Sequence, residues 1–209
     1  IIFGYTLTVS RQNADVIADE DFFRYLVETG ASIIWLSTYL PVGSKSDLSM
    51  IPLPEQRVKL QYIISRLRRK LPVLIIDFEN DSRYVGGCTG AGRRFLHINN
   101  NGNIEVCNFT HFYQDNIYEK SLIEALDSDL FREIRKYQPF CDCTYTPCLL
   151  DCNADILESI LKNVEYNQSY KDALTLFHDK EYIEFSKKYR AKIQELFNEK
   201  NVDILLEGL

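Results

Sequence analysis

Six cysteines carry the chemistry of this 209-residue chain, and they fall into two groups. Cys88 and Cys107 stand at either end of a glycine-bracketed hairpin within "GGCTGAGRRFLHINNNGNIEVC", residues 86–107. Cys141, Cys143, Cys148 and Cys152 crowd into "CDCTYTPCLLDC", residues 141–152. Thiolates brought together from separate loops can hold a [4Fe–4S] cluster or a tetrahedral zinc ion, and spacing alone does not separate the two. Gly86, Gly87, Gly90 and Gly92 would let the backbone turn tightly and approach a bulky cluster. The other use of the first pair is a Cys88–Cys107 disulfide. An acidic chain with no positively charged leader points instead to the cytoplasm, where thiols stay reduced and clustered cysteines serve metal or redox chemistry.

Other side chains have both a chemical and a plain reading. His97 and His111 flank the hairpin and could ligate metal or hydrogen-bond a cluster thiolate. Arg93 and Arg94 could neutralise an anionic cluster, or sit solvated at a strand end. "RLRRK" (66–70) lies where a helix should end, so its cations complement the helix dipole. Asp77 and Asn80 end a strand, a position suited to substrate contact or to a turn. His178 reads as surface, and Trp35 with Tyr39 as core. The net charge of −6 argues against nucleic acid. No apolar run approaches the ~20 residues that span a bilayer.

These residues need a scaffold, and the first 80 positions alternate strand and helix patterns. "IIFGYTLTV" (1–9), "SIIWLSTYL" (32–40) and "PVLIIDF" (72–78) read as strands, the second as one covered on both faces. "DEDFFRYLVETG" (19–30) reads as a helix with Asp19 as N-cap and Gly30 as stop, and 54–70 as a helix opening on Pro54. This βαβαβ order predicts a parallel sheet with right-handed crossovers. Three strands are too few to close a barrel, and Ile1-Ile2-Phe3 reads as the middle of a strand, so the start of the protein is expected elsewhere. Beyond Asn80, 94–98 and 103–107 should form a β-hairpin. Ser121-x-x-Glu124 opens a short helix over 121–126, and a second should cover 129–137. Residues 153–209 should be helical.

At the cysteines the chain resembles the C-terminal portion of a radical S-adenosylmethionine (radical SAM) protein with a SPASM- or twitch-type auxiliary iron–sulfur domain. The resemblance rests on "GGCTGAGRRFLHINNNGNIEVCNFTHF", "DNIYEKSLIEALDSDLFREIRKYQPF" and "TPCLLD". In the first block Cys88, thirteen residues, Gly102, four residues and Cys107 fit the opening of such extensions. The resemblance spans about residues 1 to 160. It implies an α/β fold: the C-terminal half of a partial parallel (β/α)6 barrel over 1–80, a small α+β cysteine-rich auxiliary domain over 81–152, and a helical extension over 153–209.

The resemblance also implies ligands. Cys88 and Cys107 match the first pair and Cys148 the next; Cys141, Cys143, Cys152 and Asp151 compete for the last place, with Cys143 or Cys141 preferred. The compressed spacing Cys141-x-Cys143-x4-Cys148-x3-Cys152 favours a single auxiliary [4Fe–4S] cluster. By the same resemblance Thr6, Thr8, Asn13, Pro41 and Gly43 border the S-adenosylmethionine cleft. The Cys-x3-Cys-x2-Cys loop that holds the catalytic cluster in this family does not occur in the chain. S-adenosylmethionine and a second [4Fe–4S] cluster are therefore expected only with an N-terminal half as partner, and this chain alone should be inactive. The implied substrate is a peptide or a small molecule, with no nucleic acid and no membrane involved. The alternative is a non-catalytic interaction module built on zinc or a structural cluster.

Overall fold

A computed structural model describes residues 1–43, 46–140, 143–173 and 175–199. The expected parallel sheet is present, with β1 (Gly4–Val9), β2 (Ile33–Thr38) and β3 (Leu74–Asp77) side by side in chain order. Gly4 pairs with Ile33, and Ile33 with Leu74. The crossovers are α1 (Ala14–Ile17) with α2 (Glu20–Glu28), then α3 (Pro54–Leu67). Asp19 caps α2 by accepting the Asp21 N–H at 2.7 Å, and Gly30 follows at φ 94°. Gln56 accepts the Leu53 N–H at 2.9 Å and fixes the first turn of α3.

Connections that always step the same way across a parallel sheet, with one handedness, put their helices on one face. That face is buried: Val9, Ile34, Leu36 and Ile75 pack against Ile17, Phe23, Leu26, Leu60 and Ile64. The other face presents Thr6, Thr8, Ile33, Trp35 and Leu74 to solvent. This corrects two expectations, that 32–40 is covered on both sides and that Trp35 is core. Trp35 stays 39% exposed and stacks on Phe78 with ring centroids 6.0 Å apart.

After β3 and the short α4 (Ser82–Val85) comes an antiparallel sheet of β4 (His97–Ile98), β5 (Asn103–Glu105), β6 (Phe112–Asn116) and β7 (Asn167–Gln168). The hairpin is where the turn chemistry put it, with shorter strands. Two further strands join it, and β7 interrupts a region expected to be wholly helical. Two residues are too few to show a period, and β7 exists only by pairing with Phe112 and Tyr113. The remaining helices are α5 (Leu122–Leu126), α6 (Asp129–Lys136), α7 (Ala154–Leu161) and α8 (Lys180–Glu199). Ser121 and Glu124 form the expected capping box. "ALTLF" contributes to a 3-10 turn over Thr175–His178 rather than an α-helix.

One core joins this sheet to its helices through Ile104, Val106, Phe112, Leu130, Phe131, Leu149 and Leu157. Another lies where α8 packs on α3: Ile51, Val58, Tyr145, Cys152, Tyr189, Ile193 and Phe197. There Tyr145 stacks on Phe197 at 3.8 Å, and Tyr189 donates its hydroxyl to the Pro52 carbonyl at 2.8 Å. The C-terminal helix thus clamps the parallel sheet unit against the cysteine-bearing unit. No helix among the described residues is long and apolar enough to cross a membrane.

Candidate metal centre

Three cysteines reach the same buried region from three loops. Cys88 follows α4, whose end is turned by Gly86 and Gly87 at φ 70° and 120°. Cys107 leaves β5, and the Gly92 N–H donates to the Val106 carbonyl at 2.8 Å, tying the Cys88 loop to that strand end. Cys148 stands in the turn before α7, where Asn153 Nδ2 donates to the Thr146 and Cys148 carbonyls, each at 2.8 Å. Cys88, Cys107 and Cys148 all pack against one core. Among the described residues no cysteine is in a disulfide.

Backbone N–H groups near the three sulfurs favour their thiolate forms. The Leu150 N–H donates to Cys148 Sγ at 3.3 Å, and the Gly90 and Phe109 N–H groups lower the thiol pKa of Cys88 and Cys107. Ala91 adds a second donor to Cys107, from a left-handed backbone at φ 51°, and Asp151 adds one to Cys148. Peptide N–H groups aimed at sulfur stabilise thiolate over thiol. Burial does the opposite and dominates: it pushes all three thiols up, Cys107 to about 11, and charge on neighbouring groups adds to the rise. Three sulfurs cradled as acceptors but too desolvated to ionise alone suit a bound metal centre, which supplies the missing positive charge.

Carboxylates share the site. The ligand atoms of Glu79, Cys148 and Asp151 lie within 4.8 Å of one another, and all three residues are buried. Glu79 follows β3 by two residues and is 4% exposed; Asp151 is fully enclosed. Burial raises the Glu79 pKa to about 8, Asp151 adds to the rise, and Arg57 opposes it. Glu79 Oε2 and both carboxylate oxygens of Asp151 have no hydrogen-bond partner.

Arg57 on α3 is the one buried cation among the described residues. It stands 3.6 Å from Asp151 Oδ2 and 3.9 Å from Glu79 Oε2. It donates to the Tyr145 carbonyl at 3.0 Å and to Cys152 Sγ at 3.7 Å. Burial works against its charge, but Tyr189, Cys152, Asp151 and Glu79 hold its pKa well above the ordinary value. One guanidinium does not offset the charge that two carboxyl groups and three thiols would carry once ionised, so the donor set fits a cationic centre.

The remaining sequence-derived candidates are dispersed. Cys152 is turned toward Arg57, and Cys143 packs beside it in the core between α3 and α8. Cys141 lies outside the described residues. Thr6 and Thr8 lie on the open sheet face. Asn13 spans the turn after β1, accepting the Ser10 N–H at 2.7 Å and donating to the Thr8 carbonyl at 2.9 Å. Pro41 is buried and Gly43 turns the chain at φ 84°. Asp77 and Asn80 bond to each other at 2.7 Å, and Asn80 also accepts from Arg57. Arg93 braces the Cys88 loop through the Cys88 and Val85 carbonyls, while Arg94 is exposed. His111 Nδ1 stands 3.9 Å from Glu105.

Sequence reasoning passed over Arg57 and Glu79. Arg57 did leave a signal, because it shares the 57, 60, 61, 64 stripe of α3 with Leu60, Gln61 and Ile64, all buried. A charge on an apolar stripe needs a buried partner. Glu79 left none.

Residues 88–153 match the SPASM family, an iron–sulfur cluster-binding domain. Among solved structures, native anSMEcpe with bound AdoMet and the Cp18Cys peptide has a similar fold, with a TM-score of 0.55 at 12% identity. The match covers 99% of this chain and 58% of that one, so the chain spans less than two thirds of its structural relative. No curated protein matches the chain in sequence. Residues 88–153 are thus similar to a family of iron–sulfur cluster-binding domains, and the chain has a fold similar to that of anSMEcpe.

Proposed function

We propose that this chain is the auxiliary-cluster portion of a radical SAM enzyme, and that Cys88, Cys107 and Cys148 hold an auxiliary [4Fe–4S] cluster. The observation that carries this is the set of three cysteines packed on one core, beside buried carboxyl groups that a single arginine leaves under-compensated. A cluster bound there would relay an electron or anchor substrate.

The chain's own residues do the positioning. The Gly86–Gly92 loop, the end of β5 and the turn before α7 present the thiols, and Arg57 offsets negative charge on the side facing α3. The open face of the parallel sheet, with Thr6, Thr8 and Trp35, is suited to line a cleft completed by an N-terminal half. Ligands of parallel barrels sit at the C-terminal strand ends, and Thr8, Asn13, Pro41 and Gly43 fall at or after the ends of β1 and β2. Without a Cys-x3-Cys-x2-Cys loop the chain has no means of cleaving S-adenosylmethionine by itself. The substrate class, peptide or small molecule, is left open by the fold.

Anaerobic reconstitution with ferrous iron and sulfide tests the reading. Brown protein with about four irons per chain, lost in Cys88→Ser, Cys107→Ser and Cys148→Ser, is the expected result. Colourless protein holding one tightly bound zinc would overturn it in favour of a structural metal module.

A further inference from the structure

We infer that Glu79 supplies the fourth protein ligand of the cluster, so that one iron is held by a carboxylate and the other three by Cys88, Cys107 and Cys148. This deepens the reading above and rests on it. The charge of Glu79 acts on all three thiols, those of Cys88, Cys107 and Cys148. Its carboxylate oxygen lies within 4.8 Å of the Cys148 sulfur. Its Oε2 is buried, accepts no hydrogen bond, and has its nearest cation 3.9 Å away in Arg57. Asp151 has the closer tie to that guanidinium, at 3.6 Å.

An enclosed carboxylate oxygen with no donor is costly to bury. Its position explains what could offset that cost. Glu79 follows the C-terminal end of β3 by two residues and sets its carboxylate beside Cys148 and Asp151. Asp77 and Asn80, locked to each other on either side, fix the backbone that aims it. The consequence is an asymmetric cluster: an oxygen donor is harder than thiolate and makes its iron the distinct, exchangeable one. The ligand set would also be drawn from both units of the fold, the parallel sheet and the cysteine-bearing region.

The test uses the full chain, reconstituted anaerobically with iron and sulfide, with iron content and electron paramagnetic resonance as readouts. Wild type should hold about four irons. Glu79→Gln should lose about one iron in four and show a [3Fe–4S]-type signal, and Glu79→Cys should recover the full count with a shifted spectrum. Far-UV circular dichroism checks that the variants fold; should Glu79→Gln not fold, the shifted spectrum of Glu79→Cys carries the test. Wild-type iron content and spectra in both variants would overturn the inference, leaving the place to Cys141, Cys143 or Asp151, while the cluster reading stands on the three cysteine variants. A wild-type chain that takes up no cluster would overturn both.

Discussion

The Arg57 guanidinium on α3 lies 3.6 Å from the Asp151 carboxylate in the turn between Cys148 and α7, and both side chains are shut off from water. This pair joins the parallel sheet unit to the cysteine-bearing unit. Arg57→Met would leave Asp151 and Glu79 without a buried cation. The apo chain should lose about 3–5 kcal/mol, measured by urea unfolding. A loss under about 1 kcal/mol would mean that the pair is not needed for folding.

Gly92 sits at φ 64°, and a Cβ there would lie 2.5 Å from Phe131 Cδ1. Gly92→Ala therefore combines backbone strain with overpacking, and should destabilise by roughly 2–4 kcal/mol. Because Gly92 ties the Cys88 loop to Val106, the variant should also reconstitute with less iron. Adding Phe131→Leu should recover part of the stability by giving the methyl room. No recovery would place the cost in the backbone alone.

Tyr182 is fully buried and donates its hydroxyl to the Leu150 carbonyl, beside Cys148 and Asp151. Tyr182→Phe leaves that carbonyl short of a donor and should cost about 1–2 kcal/mol in thermal or urea unfolding. Iron content should stay at the wild-type level, because the Leu150 and Asp151 N–H groups that face Cys148 are untouched.

A cluster that binds the folded chain and not the unfolded one raises stability by mass action. Reconstituted wild type should melt above the apo chain in anaerobic calorimetry. Cys148→Ser should show no such rise after the same treatment, and an equal rise in both would point to iron bound elsewhere.

His111, four residues beyond Cys107, gives a pH test on the apo chain. Burial holds its pKa below 6.5, with Glu105 on β5 opposing and His97 on β4 reinforcing. The Tyr170 ring packs against it with centroids 4.9 Å apart. As pH falls through 6.5 the unfolded histidine takes a proton that the folded one still refuses, so stability declines until the folded pKa is passed. Nuclear magnetic resonance should place the His111 midpoint below 6.5, and His111→Gln should flatten the stability profile over that interval. A midpoint above 6.5 would show that Glu105 outweighs burial.

Much of the scaffold was legible because local rules fix it. Asp19, Gly30 and Pro54 mark helix ends by hydrogen-bonding geometry and backbone freedom, Ser121 with Glu124 marks another, and the Asn-Gly turn marks the hairpin. The β7 strand was not legible, and neither was the open face around Trp35. An apolar run reports that a residue prefers burial, not whether a neighbour arrives to cover it.

By itself the sequence determined the chemistry on offer: six cysteines in two groups, glycines permitting close turns, and an alternation that yields a parallel sheet. These follow from residue type and near-neighbour spacing. Only the tertiary structure decided which groups meet. It set Glu79 at a strand end against Cys148 and Asp151, about seventy residues downstream, and drew Cys152 toward Arg57. That choice belongs to packing, because charged groups find their partners through the way α3, α8 and the cysteine loops close on one another, and the order of residues along the chain does not encode that distance.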